Sequence, residues 1–188
     1  MNTPEKIVQT YLRLNGFFTI PHFSILQDKG SHVDFLAVRL GSSEEKVGKG
    51  ENRELLSIDN KFLEKMGGTK KDTVGLVVEV KGGDENAEVS DVNFDYVKPF
   101  FGKISKIKKV GFEYNETDLQ KRNNHVIVSI EHCLTFINNR FQELKCIDRE
   151  MRGSGRLSKK GSWHLSEEFL SDLLYLYEVV GAKSIKSR

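Results

Sequence analysis

The stretch Val74-Gly75-Leu76-Val77-Val78-Glu79-Val80-Lys81 decides the fold. Its apolar part is rich in β-branched side chains, has the length of a strand rather than a helix, and is closed by Lys81-Gly82-Gly83. A nearly continuous apolar run of this kind is a central strand covered on both faces. Glu79 and Lys81 break the pattern. Side chains alternate along a strand, so these two project to one side while Val78 and Val80 project to the other. Charges on such a strand are kept where they are paired, hydrated at a strand end, or holding a metal.

Toward the amino terminus, Thr3-Pro4-Glu5-Lys6 supplies a capping Thr before a Pro, and Ile7, Val8, Tyr11 and Leu12 follow at helical spacing until Asn15-Gly16. Residues 17–26 are aromatic and β-branched around Pro21. Turn chemistry at Gln27-Asp28-Lys29-Gly30 then leads to a second extended run over 32–40, so a β-hairpin is expected. Asp34 sits in that second run between Val33 and Phe35-Leu36-Ala37-Val38, again a charge inside an apolar strand. Residues 41–72 are polar and dense in Gly, Glu and Lys, and are expected to form an insertion with one short helix within 54–66.

Toward the carboxyl terminus, Ser90 and Asp91 start a helix that Pro99 ends. Residues 98–109 fit helix or strand, 125–130 fit a strand, and Cys133, Phe136, Ile137, Phe141 and Leu144 mark a helix behind it. A Gly, Ser, Arg and Lys-rich loop is expected over 148–162, with Trp163 as a core anchor. A last helix over 166–181 would bury Phe169, Leu173, Leu176 and Val180.

The 188 residues, 38% of them hydrophobic and 12 of them Phe, suffice for one domain with a real core. We expect a single domain over 1–188: a core over about 3–130, the 41–72 insertion, and a helical extension over about 132–188. Charged residues form 30% of the chain yet cancel to +2, so any basic surface is local. Cys133 and Cys146 fall in one expected helix about 20 Å apart, too far to bridge. Five scattered histidines and no zinc-spaced cysteine pair argue against structural zinc. Without a secretory leader or an apolar run near membrane-spanning length, the expectation is a cytoplasmic chain with no membrane partner.

Hydrolysing a phosphodiester needs oxygen ligands for Mg²⁺, positive charge against the phosphorus centre, and an activated water. Asp34 and Glu79 supply carboxylates, with the Val80 carbonyl as a further metal ligand. Lys81 is placed to orient the water or to neutralise charge. An acidic residue early in the first helix, an Asp in the second strand, and Glu79-Val80-Lys81 closing an apolar third strand resemble the PD-(D/E)XK nuclease superfamily. That superfamily includes restriction endonucleases and Holliday-junction resolvases. The resemblance covers about residues 3–130. It implies an α/β, restriction-endonuclease-like αβββαβ core with a mixed central sheet flanked by helices, with C-terminal helices added. On it, Asp34 and Glu79 match the metal-binding acids, Lys81 the lysine, and Glu5 the acid of the first helix found in some branches. The implied activity is a Mg²⁺-dependent endodeoxyribonuclease, Mn²⁺ substituting, with DNA as substrate and a homodimer as one arrangement.

Other readings stay open. Glu79 with Lys81 also suits a strand-end ion pair, Asp34 a hydrogen-bonded hairpin residue, and Glu5 the favourable dipole position of a first helical turn. Asp59-Asn60-Lys61 has the D-x-K form too, but its surroundings suit a helix. His32 shares the strand face of Asp34; a structural histidine is the stronger reading and substrate contact the weaker. Lys98, Lys103, Lys106, Lys108 and Lys109 lie in a segment with no acid, and Arg152, Arg156 and Lys159 in the Gly/Ser-rich loop. Both stretches suit either a phosphate backbone or a solvated face. The alternative functions are a non-catalytic nucleic-acid-binding module and a partner-binding subunit of the same fold.

Overall fold

A computed structural model describes residues 1–25, 32–41, 46–47, 54–83, 85–114 and 118–153, with main chain alone at 46–47, 54–55 and 144–153. The chain divides into two compact units, Met1–Arg140 and Phe141–Arg188. The sheet and the helices packed on it belong to the first.

Helix α1 (Thr3–Leu14) is capped one residue earlier than the sequence suggests. Asn2, not Thr3, is the cap: its side chain accepts the Glu5 N–H at 2.9 Å, and Glu5 Oε2 accepts the Asn2 N–H at 3.1 Å. This reciprocal capping box satisfies two donors that a helix start otherwise leaves open. Strands β1 (Phe17–Ser24) and β2 (His32–Arg39) pair antiparallel, as the hairpin reading requires. Two short strands, β3 (Lys46–Val47) and β4 (Glu54–Leu55), and helix α2 (Asn60–Lys65) occupy the polar 41–72 segment. Strand β5 (Val74–Val80) follows, then helix α3 (Asp91–Val97), one 3-10 turn (Lys98–Phe101), and β6 (Lys106–Glu113). The ambiguous 98–109 stretch is therefore mostly turn, then strand. Ser90 caps α3 through its hydroxyl, and the helix ends before Pro99.

Strand β7 (Leu119–Arg122), which polarity had concealed, pairs with β8 (His125–Ser129) across a tight turn. Helix α4 runs from Ile130 to Gly153, so 148–153 are helical rather than loop. Trp163 and the expected last helix lie outside the described residues.

The sheet order is β1-β2-β5-β6-β8-β7. Pairs β1/β2, β2/β5 and β7/β8 are antiparallel; β5/β6 and β6/β8 are parallel. Parallel neighbours need a crossover, and α3 provides the one between β5 and β6. Both faces are covered. On one, Tyr11 of α1 meets Phe112, Phe62 and Phe136 edge-on, with centroids 6.0, 5.4 and 5.4 Å away. On the other, Leu36 and Val77 pack with Val97 and Phe101. This is a mixed sheet flanked by helices, with β5 near its middle as its apolar sequence demands. No helix among the described residues is long and apolar enough to cross a membrane.

Candidate active site

Strands β2 and β5 run in opposite directions, so the start of one lies beside the end of the other. The ladder reaches Phe35↔Val78. One step on, Asp34 and Glu79 are cross-strand neighbours on the face that carries Leu36 and Val77. His32 and Lys81 come next along the same face. The three residues that the sequence singles out, Asp34 from one segment and Glu79 with Lys81 from another, are thus gathered at one corner of the sheet.

Asp34 is 5% exposed. Its Oδ2 accepts the Val80 N–H at 2.7 Å, taking the place of a main-chain acceptor. Its Oδ1 lies 3.5 Å from His32 Nε2. Glu79 Oε1 is 3.0 Å from Lys81 Nζ, and Glu85 is a second, looser partner of that lysine at 3.9 Å. Burial, and then the negative charge of Asp34, push the Glu79 carboxyl up from its ordinary value against the opposing pull of Lys81. The hydrogen bond to Glu79 pushes the Lys81 ammonium up in turn, so it is a cation at neutral pH.

Glu5 is 8% exposed, and beyond its cap it contacts His22, whose Nε2 is 3.4 Å from Glu5 Oε2. The His22 and His32 rings stand with centroids 6.5 Å apart. Contacts therefore lead from Glu5 through two imidazoles to Asp34. His22 is the residue that sequence reading missed here. Its φ of 50° is a left-handed backbone that a non-glycine residue adopts at a cost, and the β1/β2 pairing skips it. The Pro21 before it, confined to an edge strand, was the available signal.

The segment after Lys81 is held tightly. Lys81 N–H donates to Phe112 O at 2.8 Å, and Ala87 N–H to Glu113 Oε2 at 2.8 Å. Arg122 clamps the same carboxylate with two bonds of 2.9 Å. Gly111, the register partner of Glu79, leaves room for this crossing, since a Cβ there would stand 1.9 Å from Ala87 O. Gly82 approaches Pro4 of α1, whose Cγ would lie 3.0 Å from a Cβ at 82.

Among the described residues no three His, Cys, Asp or Glu side chains are arranged to hold a metal ion. Mg²⁺ commonly takes one or two carboxylates and keeps waters for the rest of its shell. Asp34 Oδ1, Glu79 and the Val80 carbonyl fit that smaller donor set, and the mutual repulsion of the two acids is what a cation would relieve.

The basic residues separate. Lys103 and Lys108 are exposed. Lys106 pairs with Asp72 at 2.8 Å. Lys109 is 7% exposed, pairs with Asp91, and lies 5.0 Å over the Phe94 ring. The segment contains no acid of its own, but its partners come from other elements. Arg152 is described only as part of α4; Arg156 and Lys159 lie outside the described residues. Asp59 is the cap of α2, as its helical surroundings suggest, with its side chain accepting the Phe62 N–H at 3.0 Å.

No protein-family model matches the chain, and neither the curated proteins nor the solved structures contain a match to it.

Proposed function

We propose that the chain is a metal-dependent nuclease of the PD-(D/E)XK kind, cutting phosphodiester bonds in DNA. The observation that carries this reading is the meeting of Asp34, Glu79 and Lys81 on one face at the adjoining ends of β2 and β5. With β3, β4 and α2 set aside as an insertion between β2 and β5, the order α1, β1, β2, β5, α3, β6 supports it, being helix, three strands, helix, strand, as that family's core has it.

Asp34 Oδ1, Glu79 and the Val80 carbonyl would hold Mg²⁺ or Mn²⁺. When bound, the cation supplies positive charge against the phosphate and makes water more acidic. Asp34 is held for this by its bond to Val80, which fixes one oxygen and leaves the other facing the site. Lys81, a cation held beside Glu79, has further donors to offer to a phosphate oxygen or to the incoming water. The water oxygen joins phosphorus as the bond to the leaving sugar oxygen breaks, and that oxygen departs with a proton. Glu5 takes part through His22. Lys103 is an exposed lysine suited to track the duplex.

The test is cleavage of supercoiled plasmid and of a branched DNA with Mg²⁺, Mn²⁺ or chelator, beside Glu79→Ala. Metal-dependent cutting that the variant loses supports the proposal. Binding of DNA with no cutting under any metal would replace it with a non-catalytic module of the same fold. Cutting that survives in the variant would remove Glu79 from the site.

A further inference from the structure

A second constellation lies on the opposite side of the sheet from Asp34 and Glu79, on the face covered by α1. Asp59 is 7% exposed and saturated with donors. Its Oδ1 accepts Phe62 N–H, and its Oδ2 takes the Tyr11 hydroxyl at 2.7 Å and His132 Nε2 at 2.6 Å. A carboxylate can only accept, so the proton on that imidazole edge belongs to His132 Nε2. The ring is thereby fixed in orientation and tautomer. Its other nitrogen, Nδ1, makes no hydrogen bond among the described residues and is not buried.

His132 lines an open cleft of about 870 Å³ with Lys61, Lys65, Lys121, Glu64 and Asp118. A neighbouring hollow shares Lys65 and Lys121 and adds Lys108. Four lysines therefore border two adjoining hollows against two acids, with an aligned imidazole between the layers. A structural imidazole needs no accessible nitrogen and no lysine border.

We propose that this cleft binds a phosphate-bearing ligand, with the phosphate received by Lys61, Lys65 and Lys121 beside the His132 ring. Glu64 and Asp118 are left to accept hydrogen bonds from hydroxyl or amino groups of the same ligand, which suits a nucleotide. The site is independent of the acid pair at Asp34 and Glu79 and needs no metal. Its phosphate comes either from a free nucleotide or from the end of a nucleic-acid strand, and the two sources share one recognition chemistry.

The experiment is calorimetric titration of the full chain, in chelator, with inorganic phosphate, with adenosine 5′-monophosphate, and with a tetranucleotide carrying either a 5′-phosphate or a 5′-hydroxyl. Lys121→Ala and His132→Gln are titrated alongside. The exposed Lys121 is removable without disturbing the fold, so the test stands even where His132→Gln unfolds. Binding of the phosphorylated probes, weakened at least tenfold by Lys121→Ala, is expected. Tight mononucleotide binding identifies the free nucleotide as ligand; preference for the 5′-phosphorylated strand over its hydroxyl counterpart identifies a strand end. Absence of binding by every probe, or binding that Lys121→Ala leaves intact, would overturn the site. Plasmid cleavage is scored separately, so loss of this inference leaves the nuclease reading standing, and the reverse.

Discussion

Asp34 ends the β2/β5 ladder with its own side chain: beyond the pair Phe35↔Val78, the Val80 N–H is taken at 2.7 Å by Asp34 Oδ2 instead of by a main-chain carbonyl. The bond couples the placement of one candidate acid to the strand that carries the other. It also gives Asp34 a structural duty that is separable from catalysis.

That separation yields a first prediction. Asp34→Ala leaves a buried N–H without an acceptor, at a cost of about 1–3 kcal/mol. Asp34→Asn retains an acceptor oxygen and loses the charge, so its stability loss is smaller. Both variants lose cleavage by about 100-fold or more if the charge serves the reaction. Chemical denaturation and plasmid cleavage, read side by side, check this. Full activity in Asp34→Asn would reduce Asp34 to the structural duty alone.

Glu79 provides a pH-dependent test. Its carboxyl is raised by burial and by Asp34, so the folded chain holds this proton more tightly than the unfolded chain. The stability from this group is complete below its unfolded value and is lost as pH rises through its folded value. Glu79→Gln abolishes that loss, so the variant is expected to gain on the wild type as pH rises above about 4.3 in thermal melts. Mg²⁺ should raise the wild-type melting temperature at pH 7 and leave the variant unmoved, because a ligand stabilises only the state that binds it. A wild type indifferent to Mg²⁺ would count against the metal site.

The elements that residue pattern announces are those whose burial is simple. The β5 run, the β1/β2 hairpin and the capped α3 are legible because apolar period, turn residues and cap residues agree. Strand β7 is not, since Leu119-Gln120-Lys121-Arg122 lies at the sheet edge and its stability comes from pairing with β8. Of the site, Asp34, Glu79 and Lys81 are legible as charges misplaced in apolar strands. Lys109 misleads, because its partner Asp91 belongs to another element and sequence proximity says nothing of it. The Tyr11–Asp59–His132 cluster is hidden for the same reason, its members being 48 and 73 positions apart.

Gly111 should tolerate no side chain. A Cβ there would meet Ala87 O at 1.9 Å and Ile127 Cδ1 at 2.9 Å, and the first of these is main chain that Glu113 and Arg122 hold in place. Gly111→Ala is expected to cost about 3 kcal/mol. Because Glu79 is its register partner, a variant that still folds should also show weakened Mg²⁺ stabilisation. Wild-type melting with wild-type metal response would show that the crossing segment yields.

Asp59 supplies the last prediction, one about acid stability. Burial pushes its carboxyl up, but the bonds from His132, the Phe62 N–H and Tyr11 together outweigh this and hold it below its ordinary value of 3.8. A depressed carboxyl contributes stability that is present above its unfolded value and lost as pH falls through its folded one. The contribution is therefore intact at neutral pH and disappears below about pH 4. Asp59→Ala strands Tyr11 and His132 against an empty acceptor and should cost about 3 kcal/mol or more at pH 7. The gap between variant and wild type should narrow as pH drops below 4, in urea titrations run across that range. A gap constant with pH would mean that Asp59 serves α2 through its cap alone, and that the charge shared with His132 contributes nothing to folding.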